Sequence, residues 1–127
     1  MSNALTQIRL QLLKDFAQAW NDHDIDALMA CMAEGCRFDS SAGNDVFGNR
    51  AEGEDAVKAS YEAIFNVFPD AKWNEDTHFV DGDRGVSEWR FTGTKADGSS
   101  VNLMGCDLFV FEGEKILVKD SYRKNPA

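Results

Sequence analysis

The sequence predicts a single α+β domain over residues 1–127, and three observations point to it. Apolar residues recur at intervals of three and four up to Pro69, and at intervals of two beyond it. Asp81-Gly82, Asp97-Gly98 and Glu112-Gly113 then divide the second region into strand-length pieces. A chain of 127 residues with 43% apolar side chains suffices for one core and one pocket, and helices followed by strands without a linker make one domain.

Each element follows from its spacing. Leu5, Ile8, Leu12, Phe16 and Trp20 stack on one face, predicting a helix over 3–21. Asp24 can cap a second helix carrying Ile25, Leu28, Met29 and Met32, with Gly35 as the residue that ends it. A short strand, Cys36 to Asp39, opens a gap that otherwise reads as a Ser/Gly/Asn loop up to Arg50. After Gly53 a third helix begins with Glu54 and Asp55 at its positive end, presents Val57, Tyr61, Ile64, Phe65 and Phe68, and stops at Pro69. Trp73 to Val80, Gly85 to Thr94, Ser100 to Phe111 and Ile116 to Arg123 read as an antiparallel meander that the helices must cover.

Composition excludes several function classes. Thirteen Lys and Arg against twenty-two Asp and Glu leave a formal charge of −9, which repels phosphate backbones and anionic lipid, so neither nucleic acid nor membrane is an expected partner. Nine Phe, three Trp and two Tyr argue against disorder. No basic segment followed by an apolar run stands at the N-terminus, which predicts a cytoplasmic protein, with Cys31, Cys36 and Cys106 as reduced thiols. His23, His78 and the scattered cysteines supply no zinc spacing, and no phosphate-binding glycine loop or GxSxG elbow occurs. Asp22-His23-Asp24-Ile25-Asp26 lacks the Gly and Glu of a calcium loop and reads as helix-capping acids. No metal and no cofactor are expected.

The residue that stands out is Asp107. Val101 to Phe111 is apolar on both alternating faces, as in a central strand, and an acid there must either meet a donor or be held protonated. Asp39 alone reads as a turn former before Ser40-Ser41, and matters only if the fold brings it to Asp107. His78 is expected on one face with Asn74 and Asp76; Glu88, Arg90, Thr92 and Thr94 share one face of the next strand, and Ser87, Trp89 and Phe91 the other. Which of those faces lines a cavity is open at this point.

Trp20-Asn21-Asp22-His23-Asp24-Ile25-Asp26-Ala27-Leu28 and Gly105-Cys106-Asp107-Leu108-Phe109-Val110-Phe111-Glu112-Gly113-Glu114-Lys115-Ile116 resemble the first helix junction and last hairpin of the nuclear transport factor 2-like superfamily. The resemblance implies a cone-shaped, strongly curved sheet on three helices in the order α-α-β-α-β-β-β-β, a cystatin-like arrangement, with dimerisation through the outer sheet face, where Trp89 and Phe91 would form an apolar patch. Within that superfamily the ketosteroid isomerase branch implies Asp39 as a proton-shuttling base and a protonated Asp107 as oxyanion donor. Phe16 takes the place of the oxyanion Tyr, and Tyr61 matches a supporting Tyr. Ser121 stands where SnoaL-like cyclases and epoxide hydrolases have an acid.

These readings predict an enzyme of isomerase, cyclase or dehydratase type that transfers a proton beside the carbonyl of a small hydrophobic ligand. Asp39 and Asp107 would be catalytic, and Phe16, Trp20, Tyr61, His78, Glu88, Arg90, Phe109 and Ser121 would bind substrate. Two alternatives accompany it: a non-catalytic ligand-binding or dimerisation module, and an epoxide hydrolase using Glu88 with Arg90.

Overall fold

The computed structural model describes residues 3–125. Its elements run α1 (Asn3–Asn21), α2 (Ile25–Ala30), β1 (Met32–Asp39), β2 (Arg50–Glu52), α3 (Glu54–Val67), β3 (Lys72–Asp81), β4 (Arg84–Thr94), β5 (Ser100–Glu112) and β6 (Lys115–Arg123). The strands form one curved sheet in the order β2-β1-β6-β5-β4-β3, mixed because β1 lies parallel to β6 while every other pair is antiparallel. Three helices and this sheet are the predicted α+β arrangement.

The helices cover one sheet face because their apolar stripes need burial. Leu13, Phe16, Trp20, Leu28, Val57 and Tyr61 pack against Phe109, Phe111 and Ile116 of the sheet. Asp24 caps α2, accepting the Ala27 amide at 3.1 Å, as the acidic run predicts. The Asn21 side chain clips α1 to the start of β3, donating to the Trp73 carbonyl at 2.9 Å and accepting from its amide at 2.8 Å. At the opposite end of the sheet, buried Arg9 donates to the carbonyls of Gly113 and Gly82 at 3.0 and 2.8 Å and pairs with Asp83, closing two hairpin turns onto α1. Among the described residues no helix is long and apolar enough to cross a membrane.

Four expectations change. Helix α2 stops at Ala30, and Gly35 sits inside β1 with φ 74°, where the β1–β6 register shifts between Met32 and Arg37. Strand β2 starts where the presumed loop ends, in a stretch given no element; three residues of Arg-Ala-Glu are too short to show a period, yet they pair with Arg37 to Asp39. In β3 a bulge between Asn74 and Thr77, with Glu75 at φ 57°, turns the strand over. Asn74 therefore bonds Thr92 on one face while His78 bonds Ser87 on the other. Finally, Trp89 and Phe91 point to the helices and are buried, so they do not form an outer dimer patch; the exposed apolar side chains include Phe79, Met104 and Tyr122.

One close approach in the sheet matters for the site. A Cβ built on Gly105 would lie 2.5 Å from Trp89 Cη2, so the bare backbone leaves room for the indole to lie across β5. Gly105→Ala is expected to destabilise the fold by about 1–3 kcal/mol, the range for overpacking, measured by urea denaturation.

Candidate functional site

Strand alternation builds one wall of the site. On β6, Lys119, Ser121 and Arg123 face the helices, and in register across β5 and β4 stand Phe109, Asp107, Ser87 and Trp89. Between this wall and the helices lies a cavity of about 250 Å³. Trp20, Phe38, Ile64, Trp73, Trp89 and Phe91 make it largely aromatic. The segment after β1 contributes Ser40, Ser41 and Asn49, and Ser60 comes from α3.

Asp107 is 6% exposed and lies directly behind that lining. Trp89 Nε1–H donates to Oδ2 at 3.0 Å and Ser121 Oγ–H donates to Oδ1 at 2.5 Å. Lys119 Nζ is 3.4 Å from Oδ1 and donates to Ser121 Oγ at 2.9 Å. An indole and an ammonium can only donate, so Asp107 accepts at both oxygens and meets the donors that its position in a two-sided strand demands. With Lys119 as the ammonium, Asp107 ends the chain of donors as an acceptor and ion-pair partner, whereas the expectation has it as a protonated donor.

Lys119, only 5% exposed, is the group that the sequence reading missed. Its ammonium lies over Phe38 at 4.4 Å and Trp20 at 5.1 Å. Burial lowers its pKa, and the nearby Asp107 charge opposes that shift without cancelling it. The signal was present in β6: residues 119, 121 and 123 alternate, so placing Ser121 at a pocket also places Lys119 and Arg123 there. Arg123 lies over Phe91 at 5.1 Å, and its Nε donates to Ser41 Oγ at 3.0 Å. Among the described residues it has no carboxylate within ion-pair distance, and burial lowers its pKa too.

Asp39 does not reach this cavity. It follows Phe38, which lines the cavity, so its side chain takes the opposite sheet face, level with Asp120. There it is 2% exposed and held by the fork of Arg50, at 2.8 Å to Oδ1 and 3.0 Å to Oδ2, with Arg37 at 3.4 Å. A base must be within reach of its proton, and alternation by one residue takes Asp39 out of reach of anything bound beside Lys119.

The remaining predicted residues separate clearly. Trp20 and Ser121 line the cavity. Phe16, Tyr61 and Phe109 are core: Phe16 meets Trp20, Tyr61 and Phe109 edge-on, and the Tyr61 hydroxyl donates to Met32 Sδ at 3.5 Å. Burial pushes the Tyr61 hydroxyl pKa well up, so it stays a neutral packing group. His78 bonds Ser87 Oγ and Asp76 Oδ2, each at 2.7 Å, on the helix-facing side but away from the cavity lining. Glu88 and Arg90 lie on the outer face, with Glu88 bonded to Thr77 and Arg90 paired to Glu75 at 2.7 Å. Among the described residues no group of three or more His, Cys, Asp or Glu is placed to hold a metal ion.

The sequence model of the SnoaL-like domain matches residues 13–118. No curated protein matches the chain. A candidate polyketide cyclase from Xanthomonas campestris pv. campestris superposes with a TM-score of 0.83 at 20% identity, covering 94% of this chain and 92% of that one. A nuclear transport factor 2-like protein of unknown function from Mesorhizobium loti gives 0.79 at 25%, covering 98% of both chains. A candidate SnoaL-like polyketide cyclase from Jannaschia sp. CCS1 gives 0.81 at 18%, covering 98% and 90%. These likenesses establish the fold and leave the chemistry to the residues.

Asp107 and Lys119 should behave as one unit. Asp107→Leu leaves a buried ammonium unpaired and is expected to cost about 3–5 kcal/mol, with Lys119→Met added to it recovering most of the loss. Because the folded-state pKa of Lys119 lies below its unfolded value, the unfolded chain binds more protons between the two, and stability attributable to Lys119 rises with pH in that window. Denaturation of wild type beside Lys119→Met should show wild type gaining on the variant as pH rises towards 10.

Proposed function

Because the chain belongs to the SnoaL-like domain family, we propose that it binds a small planar molecule in this cavity and moves a proton beside the molecule's carbonyl, an isomerase- or cyclase-type step. The observation that carries the reading is the buried Lys119 with a lowered pKa, hydrogen-bonded to Ser121 in an aromatic cavity and backed by Asp107. Lysines whose burial brings the neutral amine within reach are suited to act as bases.

The step uses side chains alone. Neutral Lys119 Nζ takes the proton from the carbon next to the carbonyl, and the electron pair moves onto the carbonyl oxygen. The resulting enolate either regains that proton at another carbon, which is isomerisation, or attacks a second carbonyl carbon, which closes a ring and leaves an alkoxide that takes the proton back from the Lys119 ammonium. Asp107, through Ser121, positions the amine and stabilises the ammonium that forms. The developing oxyanion needs a donor, and of the polar side chains that line the cavity Ser60 and Asn49 are neutral groups able to donate. Aromatic walls keep water away and strengthen each of these interactions.

A second reading, a binder without chemistry, is favoured by Phe16, which brings no hydroxyl from α1 where the ketosteroid isomerase branch carries its Tyr. Epoxide hydrolysis by Glu88 with Arg90 loses its basis, since both lie on the outer face.

Deuterium exchange at the α-carbons of a panel of 1,3-diketones and enones, followed by proton NMR, decides between catalysis and binding alone. Wild type should accelerate exchange, with a rate that rises with pH through the lowered pKa of Lys119. Lys119→Met should lose on the order of a hundredfold or more, and Asp39→Asn should leave the rate unchanged. Equal exchange by wild type and Lys119→Met would overturn the assignment.

A further inference from the structure

The polar groups of the cavity do not balance. Asp107 is saturated by Trp89, Ser121 and Lys119, and Arg50 is spent on Asp39. Ser40 donates to the Ala42 carbonyl at 2.8 Å, and Ser41 accepts from Arg123. Ser60 and Asn49 are neutral groups that can either donate or accept. With Lys119 protonated against Asp107 in the resting protein, what is left over is one positive charge, on Arg123, which lines the cavity.

From this imbalance we infer that the ligand is a planar monocarboxylate, an aromatic or conjugated acid, with its carboxylate on the Arg123 guanidinium. The expected hydrophobic ligand thus gains one negative charge. The inference rests on the proposed function only in taking the same cavity as the binding site. A guanidinium presents paired N–H groups that match a carboxylate, and the stacked Phe91 ring below holds its position. A phosphate monoester would bring about −1.5 to −2 charges, more than the one spare cation offsets, into a site that already holds Asp107. A cavity of about 250 Å³, small for a ligand pocket and walled by Trp20, Trp73, Trp89 and Phe91, suits one or two fused rings. Lys119 and Arg123 stand four residues apart on β6, about 13 Å along the strand, so the carboxylate and the reacting carbonyl would occupy opposite ends of the molecule.

Calorimetric titration with 2-naphthoate and with its neutral isostere 2-naphthamide at neutral pH tests this. Wild type should bind the acid at least tenfold more tightly. Arg123→Gln should abolish the difference and Arg123→Lys should keep part of it, with circular dichroism confirming that both variants fold. Equal affinity for the two probes, no binding of naphthoate, or an undiminished preference in folded Arg123→Gln would overturn the inference. Preference for naphthoate in a protein that catalyses no α-carbon exchange would leave the inference standing and sink the catalytic proposal; exchange without that preference would do the reverse.

Discussion

Asp107 and Lys119 are opposite charges 3.4 Å apart and both buried, and the architecture around them is what that pairing requires. Desolvating two ions costs several kcal/mol each, so the pair survives only with every remaining lone pair and proton engaged. Ser121 bridges the two groups, and Trp89 caps the second carboxylate oxygen. Trp89 reaches it across Gly105, where any side chain would collide with the indole. The register of β5 against β6 is therefore under a strong constraint: a slip of one residue would turn Asp107 outward and strand Lys119 alone.

The same pairing stands between a packed end of the molecule and an open one. Arg9 fastens the hairpin turns at Gly82 and Gly113 to α1, and that end is solid core. Towards the other end of the strands the residues lining the sheet become Lys119, Ser121 and Arg123, and the packing opens into the cavity. A strand rather than a loop carries Lys119, Ser121 and Arg123, which holds the amine and the free guanidinium in fixed relation. The fold thus turns an alternating strand into an ordered set of donors facing aromatic walls.

How much of this was legible in the chain depended on whether a residue broke its local pattern. Asp107 broke it, because an acid in a strand apolar on both faces needs a partner, and the partner exists. Lys119 did not, since a lysine near the end of a strand is ordinarily solvated, and only its alternation with Ser121 hinted otherwise. The resemblance implies Asp39, yet its neighbour Phe38 takes the inward position, and the Arg50 fork that holds Asp39 comes from a strand too short to read. Counting in twos puts His78 on one face with Asn74, and the bulge at Glu75 breaks that count. Order and type of the long elements followed from periodicity; bulges, a three-residue strand and the inward face of β4 depended on tertiary contacts.

The central claim is that burial outweighs the ion pair at Lys119 and brings its neutral amine within reach. Nitrogen-15 NMR of the lysine side chains measures this directly, by following the Lys119 Nζ resonance against pH and identifying it by its loss in Lys119→Arg. The account predicts that Lys119 titrates below the ordinary lysine value of about 10.4. Titration at or above that value would mean that Asp107 locks Lys119 as a permanent cation, and the proposed base would not exist.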